Sequence, residues 1–155
     1  MQVEFRRTGE RRYGVFVHRG GEVLAMDPAP GFDPHIPHDL VHFVAERELG
    51  IARGLFGQLA AGGDAGTFHL VRDGADPRTE RRRRRGRAAG AARWRAATGA
   101  TPTVEQAAQL CLAAWHARPF DPGEAFPAEA IRRAAAALDA VAARWAALAV
   151  GEGSC

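Results

Sequence analysis

The chain has six histidines, and three of them, His35, His38 and His42, fall within the stretch HIPHDLVHFVAERELG. Two imidazoles at i and i+4 of a helix share a face, with Cβ atoms about 5–6 Å apart. Both can then grip one divalent ion through Zn–N bonds near ~2.0–2.1 Å. The same spacing underlies the HExxH zinc motif, in which the glutamate is the general base. Here Asp39 holds that place on an arm one methylene shorter, and it is the candidate catalytic carboxylate. A third ligand is needed. Glu46 lies one further i+4 step along and is a candidate, but about 12 Å of helix separates it from His38, so one ion would strain to meet both and Glu46 could orient His42 instead. His35, on a proline-rich approach that can fold back over the helix start, is the stronger third ligand; His69 and His116 are further histidines that sequence does not place. The positive helix N-terminus disfavours imidazolium and leaves His38 able to ligate. The expected cofactor is therefore a divalent metal, with zinc foremost, which would activate water or polarise a carbonyl of a small molecule in hydrolase or lyase chemistry. A structural reading stands beside it: His38 and Asp39 finish a helix start, and His42 is a hydrogen-bonded core histidine.

The HDLVH element, followed by later acidic residues, resembles the zinc motif of the ubiquinone-biosynthesis protein family. The resemblance implies a metal role for His38, Asp39 and His42. In that family an acidic residue follows after eleven intervening positions; here that position is Gly54, and the nearest carboxylates are Glu46 and Glu48. The stretch PHDLVHFVAERELG also resembles a helix of small bacterial proteins, a likeness that brings no activity with it.

The elements that must position these residues can be read from periodicity. Met1, Val3 and Phe5 alternate with polar residues, Tyr13, Val15 and Val17 repeat the period, and EVLAMD supplies a third run. With turns at GERR and RGGE, this predicts a short antiparallel meander with one apolar face, which needs a helix to cover it. Pro28, Pro30, Pro34 and Pro37 make the next segment a stiff connector. A mostly buried helix should run from Pro37, as its first residue, to Leu49, with Gly50 as its left-handed stop and Ile51 just beyond. RGLFGQLA suggests a short second helix, and TFHLVR (Thr67 to Arg72) a fourth strand. Val104, Ala108, Cys111 and Trp115 form one helical stripe, with a capping box at Thr103 and Gln106; Ile131, Ala134, Leu138, Val141, Trp145 and Leu148 form another. The fold class is α+β: a sheet with the HDxxH helix over 1–75, an Arg-rich helix or linker over 76–100, and an antiparallel helix pair over 101–150 packing on the same domain.

Composition narrows the function classes. The two cysteines make no disulfide framework, the charged N-terminal stretch is no signal peptide, and no apolar run approaches the ~20 residues of a membrane span. A cytoplasmic protein without membrane partners is expected. There is no lysine, hence no phosphate loop ending in Lys-Ser or Lys-Thr; the only serine is Ser154, and GxSxG is absent. The formal charge of +3 is local, because seven arginines lie between Arg78 and Arg87 and without them the balance is −4. The run Arg81, Arg82, Arg83, Arg84 and Arg85 offers a non-catalytic alternative, an interaction protein that binds nucleic acid or an acidic partner. Five successive arginines on a helix point in every direction, however, and only Trp94 is interleaved for base stacking. A solvated helix or linker is the plain reading of the run.

Overall fold

The structure, a computed structural model, describes residues 1–71, 76–96 and 104–154, with backbone alone over 93–96. The expected meander forms from β1 (Gln2–Gly9), β2 (Arg12–Arg19) and β3 (Glu22–Met26). Its register gathers the alternating apolar residues into rows: Val3 faces Val17, which faces Leu24, and Phe5 faces Val15, which faces Met26. All six are buried. Period-two alternation thus becomes one core face. Met1 lies outside the first paired residue and is exposed, unlike the alternation's placing of it. Two short strands complete the sheet in the order β4-β3-β2-β1-β5. The first, β4 (His69–Leu70), falls in the stretch read as a fourth strand, of which Arg72 lies outside the described residues. The second, β5 (Gly153–Ser154), comes from a polar segment with no alternation to announce it.

The connector delivers the chain to α1 (His38–Glu48). Pro37 is the extended residue before the helix, with ψ 144°, rather than its first turn. The expected stop is present: Gly50 has φ +65°, its N–H donates to the Arg47 carbonyl, and the Ile51 N–H donates to the Glu46 carbonyl at 2.8 Å. Ile51 is itself buried beyond the turn, as such a terminus requires. The short α2 (Leu55–Ala60) starts on a carboxylate from α1, since Glu46 Oε2 accepts the N–H groups of Phe56 and Gly57 at 2.9 and 3.0 Å. A Cβ at Gly54 would overlap the Glu46 carboxylate, so a side chain there would have to displace this cap.

The Arg-rich segment is helical: α3 (Pro77–Ala96) opens with Asp76 Oδ1 accepting the Arg78 and Thr79 N–H groups. A short side-chain acceptor followed by proline is a strong helix start. Helices α4 (Val104–Trp115) and α5 (Ala128–Ala147) pack on each other and on α1. The α5 stripe is buried through Trp145, while Leu148 is half-buried past the helix end. On α4, Ala108 and Cys111 are buried and Trp115 is half-buried, donating its indole N–H to Asp139 on α5 at 2.6 Å. Thr103 of the expected capping box lies outside the described residues. Sheet, α1, α4 and α5 share one apolar core, in which Phe43 packs on Phe5 and Phe56 and Trp145 meets Tyr13 edge-on at 5.9 Å.

Two expectations about stability follow. Burial pushes the Glu46 carboxyl up from 4.5 to about 7, against the lowering pull of the Gly57, Phe56 and Leu55 N–H groups. Between those values the folded chain holds a proton that the unfolded chain has released, so stability falls as pH rises through that window and levels off above it. The fall is roughly 3 kcal/mol. Glu46→Gln keeps the acceptor oxygen and should abolish the fall, as read from urea denaturation at about pH 5 and about pH 8; an undiminished fall would mean another group is responsible. At the end of α4, Ala117 sits at φ +52° with the Arg118 N–H closing onto the Ala113 carbonyl. A Cβ is disfavoured in that conformation, so Ala117→Gly should stabilise by about 0.5–1 kcal/mol, seen as a raised thermal midpoint.

Candidate metal centre

The first turns of α1 and α4 meet, and their polar residues face each other. His38 and His42 present their Nε2 atoms 2.8 Å apart, with ring centroids 4.4 Å apart and planes at 77°. The partner from α4 is Glu105, whose Oε2 lies 3.2 Å from His42 Nε2 and 3.5 Å from His38 Nε2. Gln109, one turn further on, donates to Glu105 Oε1 at 2.9 Å and so turns Oε2 toward the imidazoles. That hydrogen bond, followed by the two histidines, holds the Glu105 carboxyl below its ordinary range. Burial, reinforced by the neighbouring His38, holds His42 below the ordinary imidazole value and so in the neutral form.

The three atoms have the size of one face of a coordination shell. A tetrahedral ion with bonds of ~2.0–2.1 Å needs ligand atoms about 3.3–3.4 Å apart. The two edges to Glu105, 3.2 and 3.5 Å, bracket that length, and the His38–His42 edge of 2.8 Å must open by about half an ångström. His38 can supply the movement, since its side chain is 46% exposed whereas that of His42 is 12% exposed. Among the described residues, this is the group whose nitrogen and carboxylate atoms all lie within 4.8 Å of one another.

Of the residues singled out from the sequence, His38 and His42 are brought together, and Asp39, His35 and Glu46 are not part of the group. Asp39 is one residue, and so about 100°, round the helix from His38. It is buried, and its Oδ2 lies 2.6 Å from the Tyr13 hydroxyl on β2. Burial and that carboxylate in turn hold the tyrosine hydroxyl far above its ordinary range. Asp39 therefore fastens helix to sheet and does not reach toward the imidazole pair as a base. Glu46, seven residues on from Asp39 and along the same buried line of the helix, turns to cap α2 instead of reaching back to His42. His35 is exposed on the connector, where its N–H and that of Ile36 donate to Asp33 Oδ1; it stands on a neighbouring wall, outside the ligand cluster.

That wall belongs to a cleft of about 330 Å³ that opens beside His38. Phe32, Ile36, Val41, Leu112 and Trp115 form its apolar sides, and His35, His38 and His116 contribute imidazoles. His116 thus reaches the neighbourhood of the site from the end of α4. A second cavity, bordered by Phe5, Phe43 and Trp145, holds only about 30 Å³ and lacks these groups.

Glu105 escaped the sequence reading. It follows His42 by sixty-three residues, with no spacing rule to connect them, and reads locally as an acidic residue in a helix's first turn. The one available signal was its place: a carboxylate on the first turn of a helix whose apolar stripe must pack on the same core as α1. No protein-family model, curated protein or solved structure matches the chain, so its function has to be argued from these three ligand atoms and the cleft beside them.

Proposed function

We propose that this chain is a small metal-binding protein in which His38, His42 and Glu105 hold one divalent cation, with zinc the best match. The observation that carries the reading is the convergence of two imidazole nitrogens and one carboxylate oxygen from two helices at spacings of 2.8 to 3.5 Å. Two histidines and one carboxylate are a donor set of catalytic zinc sites, which keep a fourth position for water or substrate. Such an ion acts as a Lewis acid on a carbonyl or makes hydroxide available near neutral pH. The cleft gives that chemistry a place: its apolar and aromatic walls suit a small molecule, and its volume is within the ordinary range for ligand pockets. His35 and His116, on the cleft wall, are the groups available to carry protons there, a role that Asp39 cannot fill while it is held by Tyr13. Hydrolysis or elimination of a small molecule is the reaction class that fits.

The test begins with protein purified without a nickel column and stripped with chelator. Zinc titrated in competition with a chromophoric chelator should bind at about one equivalent. Glu105→Gln should weaken that binding by at least about tenfold, and the double variant His38→Ala/His42→Ala should abolish it, with the far-ultraviolet dichroism unchanged. His35→Ala should leave stoichiometry and affinity intact. Binding below about one-tenth of an equivalent, or binding indifferent to all three ligand changes, would overturn the reading.

A further inference from the structure

The arginine run has two faces, and they are differently engaged. Arg83 and Arg87 point inward: Arg83 donates to the Gly21 carbonyl at 2.6 Å, and Arg87 pairs with Glu22 at 2.8 Å and with Glu80 at 3.1 Å. Gly90, next on this stripe, is buried where a Cβ would overlap the backbone at Gly62. Residues 83, 87 and 90 thus fix how α3 is rotated about its own axis. The opposite side carries Arg78, Arg81, Arg82 and Arg85, all exposed and lining a groove of about 310 Å³ with Pro77. Among the described residues no carboxylate is paired with any of these four; Glu80 is drawn off to Arg87. The five successive arginines do point in different directions, Arg83 inward and Arg84 outside the groove, but Arg81, Arg82 and Arg85 join Arg78 on one cationic outer face.

We propose that this outer face of α3 binds the phosphate backbone of a nucleic-acid duplex without reading its sequence. Arg78 and Arg85 are seven residues apart, so four guanidinium groups span about 10.5 Å of helix axis, or one charge per ~3.5 Å. One strand of a duplex presents a phosphate every ~3.4 Å of its axis, so this face of the helix carries positive charge at about the linear density of one strand's phosphates. Guanidinium forks suit phosphate oxygens, which they hold by paired N–H bonds. A membrane surface is disfavoured because the exposed neighbours on α3, Gly86, Ala88 and Ala89, offer no large apolar anchor. Single-strand recognition would want aromatic platforms, and the described residues that line this groove include none. This inference is independent of the metal site, which α3 does not form.

Fluorescence anisotropy with a duplex of about 20 base pairs tests it. Four backbone contacts predict a slope near −3.6 for log affinity against log salt, so binding should weaken roughly a hundredfold from 50 to 200 mM. The quadruple variant R78A/R81A/R82A/R85A should lose at least tenfold at about 50 mM salt and most of the slope. A control of equal charge change on other exposed arginines, R11A/R12A/R53A/R133A, should stay within about threefold of the parent. Alanine favours helix, and far-ultraviolet dichroism checks that both variants fold. The proposal fails if the parent shows no binding at about 50 mM salt, if both variants lose affinity alike, or if poly-glutamate, a single strand of equal length or phosphatidylserine vesicles bind more tightly than the duplex.

Discussion

The contact on which the arrangement depends is that of the Tyr13 hydroxyl with Asp39 and Pro30. Tyr13 is wholly buried on the central strand β2, and its oxygen lies 2.6 Å from Asp39 Oδ2 and 2.6 Å from the Pro30 carbonyl. One hydroxyl thus joins the sheet to the connector and to the first turn of α1. Trp145 of α5 packs on the ring and donates its indole N–H to the Asp33 carbonyl at 3.3 Å, so the last helix is tied to the same point. A buried carboxylate without partners is expensive by several kcal/mol. The satisfied arrangement accordingly fixes both the depth and the rotation of α1. With Asp39 committed inward, His38 and His42 fall on a side that α4 meets through Glu105.

The two acidic residues of α1 show how burial can override a local pattern. Read as a string, HDLVHFVAE offers two histidines with two carboxylates at metal-binding spacing. Placed on the helix, Asp39 and Glu46 are seven residues apart, two turns along one line, and both are buried. Each is then taken up by a polar group at its end of the helix: the tyrosine hydroxyl in one case, the first N–H groups of α2 in the other. Gly54 belongs to the same solution, since the Glu46 carboxylate occupies the space a side chain there would need. The carboxylate beside the histidines comes instead from α4, where Glu105 is exposed and has no such competing demand beyond Gln109.

What the chain discloses locally and what it withholds divide along contact distance. The meander, the stop of α1 at Gly50 and the core stripe of α5 were legible because each depends on a short period or on one residue's backbone preference. The imidazole pair was legible for the same reason, being one helical turn. Glu105 was not, because its meeting with His42 depends on the packing of α4 across α1, which no spacing encodes. The strand β5 was not, because its two residues, Gly153 and Ser154, are recruited by the free edge of β1 and not by any alternation of their own.

The arginine run makes the same point in reverse, since composition revealed the block but not its orientation. A lone helix with arginines at successive positions has no preferred face. Here the preference comes from outside the run: Glu22 at the start of β3, the Gly21 carbonyl in the preceding turn, and the glycine backbone at Gly62 each act on one side of α3. A glycine contact admits no rotation, because any turn of the helix would bring a side chain where only Gly90 fits. Neutralising the inner guanidinium groups also lowers the self-repulsion that so dense a charge run would impose on an isolated helix. The outer four remain unneutralised by described carboxylates, so this side of α3 carries a concentrated positive field.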